Sequence, residues 1–365
     1  MKKELIEIAK IFFKLGSTSF GGPVVHIAMM EQEIVKKRKW ISSQHFLDLI
    51  SATNIIPGPN STEMTMHCGH EKAGWRGLIV AGVTFIIPAV IITMIFSWFY
   101  KEYSYLPKVE NFIYGIKSAV ISIMVVSIIS LGKKALKTKF LGVLGALTFI
   151  SCLLGLNEIL AIFLSGFIGL ISFILKKNRN KTFIFLPIIP ISLSTIKTLL
   201  VFFKIGALLY GGGYVLFAFL DAELVAYGVI TRSDLINAIA VGQFTPGPIL
   251  STATFIGWQI GGFFGAIAAT IGIFLPSFIF VLILNPIVPK LRKSKIISSF
   301  LDAVGIAAVS IIAVVLVRMA NEVMTDWKSI LITCLSLIIV LKYKKVNNAF
   351  IVLGGSILGY LLTLV

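Results

Sequence analysis

The sequence predicts an all-α polytopic integral membrane protein built from two homologous, inverted-topology repeats whose helices are discontinuous, broken at Gly and Pro. Three observations lead there. First, the 365 residues are 57% hydrophobic and only 13% charged, about half the charged fraction of a soluble domain, so lipid is the expected solvent. Second, an unusual pattern occurs twice. Phe12-Phe13-Lys14-Leu15-Gly16, Phe20-Gly21-Gly22 and Pro57-Gly58-Pro59 return as Phe202-Phe203-Lys204-Ile205-Gly206, Tyr210-Gly211-Gly212 and Pro246-Gly247-Pro248, with spacing kept within one residue. Third, Lys and Arg gather in short loops between apolar runs, where topology signals reside. The formal net charge of +17 is therefore read as membrane orientation and not as nucleic-acid binding.

The repeats are placed at residues 1–181 and 196–365, joined by a connector at 182–195. The N-terminus lacks a cleavable-signal pattern and is read as mature protein. Ile11 to Met30 and Phe46 to Met66 contain the breaks and are expected to enter the membrane and return. Irregular backbone at that depth is tolerated only against protein or a water-filled cavity. Trp75 to Tyr100, Val109 to Leu131, Phe140 to Leu156 and Ile159 to Leu175 approach or exceed a crossing length. In the second repeat so do Phe263 to Ile287 and Ile296 to Val317, with shorter candidates at Ile330 to Leu341 and Ala349 to Val365.

Basic clusters fall at Lys36 to Lys39, Lys133 to Lys139, Lys176 to Lys181, Lys290 to Lys295 and Lys342 to Lys345. Trp75 to Tyr100 starts beside Lys72 and Arg76, whereas its counterpart Phe263 to Ile287 ends against Lys290, Arg292, Lys293 and Lys295. With basic loops in the cytoplasm, equivalent helices run in opposite directions. Inversion requires an odd number of crossings between the halves, and Phe183 to Ser194 is too short and Pro-broken to assign as one.

Each Pro-Gly-Pro reads as the start of a half-helix, because Pro in the first turn loses no hydrogen bond the helix would have made. Unpaired N–H groups and the positive end of the helix dipole then face the break, which suits an anion. Matched breaks in two halves point to a transporter with a site at mid-membrane. Asn60, Ser61, Thr62, Ser251 and Thr252 are the expected contacts, with Asn54 and Gln243 as polar neighbours and Lys14 and Lys204 as compensating charge. Gly21-Gly22 and Gly211-Gly212 permit a second pair of breaks. Gly257, Gly261 and Gly265, four residues apart, read as a stripe for helix contact.

Acidic residues also match between repeats, Glu31 with Asp221 and Glu33 with Glu223. Glu63, His67 and His70 share one helix face, compatible with a metal site or a proton relay. Their counterparts Thr252, Ile256 and Gln259 cannot titrate, so proton coupling is sought in the first repeat. Glu33, Glu63, His67 and Glu223 are the coupling candidates. No metal or cofactor is expected; Cys68, Cys152 and Cys334 are isolated packing residues. An intramembrane enzyme using His67 and Glu63 lacks any supporting motif, and no phosphate-binding loop supplies an ATP motor.

Phe20-Gly21-Gly22-Pro23 through Met30-Glu31, Lys39-Trp40, Phe46-Leu47-Asp48, Asn54, Pro57 through Met64 and Ala73-Gly74-Trp75 closely resemble the chromate ion transporter family. So do Gly211 through Leu216, Gly242-Gln243, Thr245-Pro246-Gly247-Pro248, Thr252 through Gly257 and Phe274-Leu275-Pro276-Ser277-Phe278. The resemblance covers both halves, in the long two-domain form; His70 stands where the family usually has an aromatic residue. It implies a multi-pass inner (plasma) membrane exporter of chromate, a tetrahedral dianion similar to sulfate, with chromate resistance as phenotype. The expected partners are the oxyanion, membrane lipid and protons, and a homodimer is compatible with the sequence. A dianion leaving a negative interior gains about 2.3 kcal/mol per charge per 100 mV, so potential alone can drive export by alternating access. An anion channel or an exchanger for sulfate or another small oxyanion is the alternative.

Overall fold

The computed structural model describes residues 2–20, 23–53, 56–175, 195–210, 212–284, 295–343 and 346–364, and every regular element among them is helical. The connector and the Phe183 to Ser194 segment fall almost wholly outside these residues. The first part of the chain forms α1 Lys2–Thr18, α2 Pro23–Met30 continuing into a π-helical turn Glu31–Lys37, and α3 Ser43–Thr53. Then come α4 Asn60–Tyr103, α5 Pro107–Ala135, α6 Lys139–Leu153 and α7 Glu158–Leu175. The second part has the same order. It comprises α8 Thr195–Leu208, α9 Val215–Leu220 with its π turn Asp221–Val225, α10 Arg232–Phe244, α11 Thr252–Leu284 entered through a 3₁₀ turn Ile249–Ser251, α12 Lys295–Val323, α13 Trp327–Lys342 and α14 Asn348–Thr363.

Local chemistry sets many of the boundaries. Thr231 with Asp234, and Asp326 with Ser329, form capping boxes that start α10 and α13, and Thr138 caps α6. Inside α4, Ala73 (φ −146°, ψ 30°) and Gly74 (φ 59°, ψ −152°) leave the helical region. Inside α11, Gly261 (φ −140°, ψ 25°) and Gly262 (φ 59°, ψ −146°) do the same, with nearly identical angles. Eight residues of straight helix span about 12 Å. Yet Gly69 packs its carbonyl directly on Gly77, and Gly257 likewise on Gly265. Both helices therefore reverse into hairpins, with a short first arm and a long second arm. This corrects the stripe expected at Gly257, Gly261 and Gly265. Gly261 belongs to the turn, where an added Cβ would meet no atom within 4 Å, while Gly257 and Gly265 face each other across it.

The long arm of α4 packs on α1 and that of α11 on α8. Gly16 sits on the Phe85 backbone and Gly206 on the Ile273 backbone, so each contact is as close as two main chains allow. The outer helices interlock: α5 packs against α13 and α14 of the second part, and α12 against α6 and α7 of the first. Glycine again sets the approach, with Gly115 against Gly355 and Gly359, and Gly169 against Ala303.

Four described helical segments are long and apolar enough to cross a membrane: the long arms of α4 and α11, within Asn60–Tyr103 and Ile249–Ile283, together with Val109–Ala135 and Ser298–Val323. Large apolar side chains such as Val143, Leu147, Ile150 and Ile338 are exposed, as a lipid-facing surface requires. The protein is an all-helical, multi-pass membrane protein. Of the expected crossings, α6 is shorter than read. Its 15 residues reach about 22 Å against a hydrocarbon core of about 30 Å, because Leu154-Gly155 ends the helix.

Candidate functional site

The two Pro-Gly-Pro segments meet. Gly58 takes φ +147° and Gly247 φ +90°, conformations that favour glycine, which lets each main chain turn sharply into the helical start that follows. The Gly58 amide donates to the Leu209 carbonyl at 2.9 Å, and the Gly247 amide donates to the Ser19 carbonyl at 3.0 Å. Ser19 and Leu209 occupy the same place in the two halves, directly before Phe20 and Tyr210. Each break is thus hydrogen-bonded to the other repeat.

A hollow lies between them. The first part contributes Pro23, His26, Pro59 and Ser61; the second contributes Gly213, Tyr214, Gly242, Gln243, Thr245, Gly247 and Ile249. The first turn after each motif is closed by a Pro carbonyl, Pro59 accepting from Thr62 and Glu63 and Pro248 from Ser251. The first turns of α4 and of the helix after Pro248 begin beside the hollow, at Ser61 and Ile249, and direct the positive dipole end at it. The site suits an anion with several acceptor oxygens.

Ser61 and Gln243 line the hollow. Asn60 is half-buried in the first turn of α4. Thr62 and Ser251 are fully buried, and their hydroxyl oxygens have no hydrogen-bond partner among the described residues. Thr252 is committed locally, its hydroxyl donating to the Ile249 carbonyl at 2.8 Å. Gln243 accepts at Oε1 from Asn348 Nδ2 at 2.8 Å, which leaves its Nε2 amide without a partner among the described residues. Gly212 has φ +102°. Asn54, Gly21, Gly22 and Gly211 lie outside the described residues.

The expected compensating charges do not line the hollow. Lys14 is exposed on α1, and Lys204 holds both Glu223 oxygens, at 2.8 and 2.9 Å. The lysine and glutamate singled out separately are one ion pair, made because α8 and the π turn after α9 bring them side by side. Glu33 pairs with Lys37 at 3.1 Å and with Arg38. Partial burial alone would raise its pKa, but these two hydrogen bonds and charges hold it below the usual carboxylate range. Glu63 and His67 are fully buried on the short arm of α4, whereas His70 is only half-buried at its end. The Glu63 carboxylate and the Ser277 hydroxyl both lie against Gly58.

Two features escaped sequence reasoning. His26 is buried in the wall of the hollow, and the only sequence cue is a lone polar residue three positions after Pro23 in an apolar helix. Arg318 bonds Glu158 at 2.7 Å, Asp221 at 2.9 Å and the Cys152 carbonyl at 3.1 Å, while Arg232 reaches Asp221 at 3.2 Å. This network, with its two carboxylates buried and its arginines partly exposed, ties α7 to α12 and to the start of α10, and nothing in local spacing announces it.

The family described as chromate transporter matches the chain twice, at residues 6–170 and 196–360. A probable chromate transport protein of Synechococcus elongatus is 29% identical, the alignment covering 97% of this chain and 95% of the relative. An uncharacterized transporter of Methanocaldococcus jannaschii is 30% identical over 98% and 94%, and a chromate transport protein of Cupriavidus metallidurans 26% over 97% and 92%. No solved structure matches it. Matched over most of its length in two successive copies, the chain belongs to the chromate transporter family.

Proposed function

We propose that this chain is a secondary transporter that exports chromate, or a sulfate-like tetrahedral oxyanion, across the plasma membrane by alternating access of two inverted repeats, residues 1–181 and 196–365. The observation that carries the proposal is the reciprocal pair of backbone bonds, Gly58 to Leu209 and Gly247 to Ser19, around a hollow faced by two helix starts. Reciprocal contacts of this kind are what a two-fold relation between halves produces. The opposite placement of basic loops around equivalent helices supports an axis in the membrane plane.

The two repeats offer the anion neutral donors: amides of the first turns, the Ser61 hydroxyl and the Gln243 amide. Thr62 and Ser251 stand behind them as donors for a second arrangement of the same tips. Because Lys204 is neutralised by Glu223, this lysine does not cancel the charge of the dianion, and a negative interior drives the net negative charge outward at about 2.3 kcal/mol per charge per 100 mV. The names of the relatives favour chromate over other oxyanions of this shape.

The test is flux from proteoliposomes loaded with chromate or sulfate, with potential and pH gradient imposed separately. Saturable efflux accelerated by a negative lumen is expected. Current that does not saturate identifies a channel, and absence of flux for both anions overturns the proposal.

A further inference from the structure

Resting on that oxyanion reading, we infer that His26 is a proton-dependent ligand of the anion: it binds only as imidazolium, so one proton enters the hollow with each dianion. His26 is 3% exposed and lines the hollow beside Pro59, Ser61 and Gln243. Its Nε2 lies 3.2 Å from the Ser19 carbonyl oxygen. A carbonyl can only accept, so Nε2 carries a hydrogen in both charge states of the ring and the titrating position is Nδ1. Nδ1 has no hydrogen-bond partner among the described residues. In the neutral ring it presents a lone pair, which repels an oxyanion oxygen. Once protonated, the same atom presents an N–H donor and a full positive charge.

The ring is held in place for this. The Ser19 carbonyl also accepts from the Gly247 amide at 3.0 Å, so both repeats anchor the atom that fixes the tautomer. Phe85 meets the imidazole edge-on at 5.6 Å between centroids.

Titratable groups stand on each element packed around α2. On α4, Glu63 packs against Gly58 and beside Ser277, and His67 is buried one turn further on. On the following π turn, Glu31 pairs with Lys36, and Glu33 with Lys37 and Arg38. Lys14 of α1 is exposed, and across the hollow stand Tyr214 and Gln243. Among the described residues none that lines the hollow is a carboxylate, so an entering anion is the counterion an imidazolium there would have. Proton and anion then raise each other's affinity by the same factor, as linkage requires. The second repeat has Leu216 at the matching position, so this coupling resides in the first repeat alone.

The experiment is calorimetric titration of sulfate into the full chain in detergent, repeated in buffers of different ionisation enthalpy, from pH 6 to 8. For the unaltered protein, uptake approaching one proton per sulfate is expected, with affinity falling by up to about tenfold per pH unit. His26→Gln keeps an amide donor for Ser19 and removes the titrating nitrogen. It is expected to bind at least about tenfold more weakly at pH 6, without proton uptake and without pH dependence. Sulfate binding with no buffer dependence in the unaltered protein overturns the inference and leaves the oxyanion reading standing, as does a His26→Gln protein that still takes up the proton. Should His26→Gln fail to fold, the buffer series on the unaltered chain decides alone. If neither sulfate nor chromate binds at any pH, the oxyanion reading falls and the inference with it.

Discussion

Gly58 gives its amide hydrogen to Leu209, 151 residues away in sequence and 2.9 Å away in space, while Gly247 does the same for Ser19 at 3.0 Å. A broken helix at membrane depth leaves main-chain groups that lipid cannot satisfy. Here each half supplies the main-chain acceptor for the break of the other, so the amides of Gly58 and Gly247 are not satisfied within their own halves.

Gly58→Ala and Gly247→Ala should therefore both be damaging. Each glycine has positive φ, a Cβ on Gly58 would enter the space of Glu63 and Ser277, and one on Gly247 would come within 3.1 Å of Ala89 and of the Gly16 carbonyl. A loss of about 1–3 kcal/mol is expected for each, read as a lower unfolding temperature in detergent. Gly305→Ala in α12, where nothing lies within 4 Å, is the control and should be neutral. Equal stability of all three variants would contradict the described turns.

The hairpin turns give a matched pair. Gly69→Val and Gly257→Val each push a side chain into a facing glycine backbone and should destabilise by a similar amount, at least about 1–3 kcal/mol. Gly354→Val, with open space around it, should leave monodispersity on size-exclusion chromatography unchanged.

Lys204→Met leaves Glu223 partly buried without its cation and should cost about 1–3 kcal/mol. Replacing both, as Lys204→Met with Glu223→Leu, should restore stability and flux, because neither residue lines the hollow. A stable but inert double variant would place Lys204 on the anion's route.

Asp326, which caps the start of α13, offers a pH test. The Ser329 backbone N–H, which it caps, and then the Tyr114 hydroxyl hold its carboxyl below the ordinary value. A depressed carboxylate stabilises above its unfolded pKa of about 3.9, and that contribution disappears as pH falls through the lower folded value. Asp326→Ala should lower stability by about 1 kcal/mol at pH 7 and make progressively less difference near pH 3. A difference independent of pH would show that the cap does not act through its charge.

How much of this was legible in the chain depends on the range of the interactions. Membrane class follows from composition, and Pro59 and Pro248 mark helical starts because proline acts on its immediate neighbours. Ala73-Gly74 and Gly261-Gly262 were harder. A glycine every four residues fits a packing stripe as well as a hairpin, and only the fold-back of Gly257 on Gly265 separates them. The Lys204 to Glu223 pair, the Arg318 network and the exchange of α5 and α12 between halves are tertiary, with no local signature. His26 was missed because a single histidine in an apolar helix is ambiguous until its neighbours are known.

Ser61 in the first turn of α4 and Gln243 in the last turn of α10, one from each repeat, line the same hollow, and their joint effect on binding is the most direct test of whether the two repeats hold one anion. Sulfate affinity should be measured calorimetrically for the unaltered chain, Ser61→Ala, Gln243→Ala and the double variant. Both single changes should weaken binding, with an interaction of about 0.5 kcal/mol or more in the cycle, because both donors serve one ligand. Unchanged affinity in both single variants, or strict additivity of their losses, would contradict a shared site.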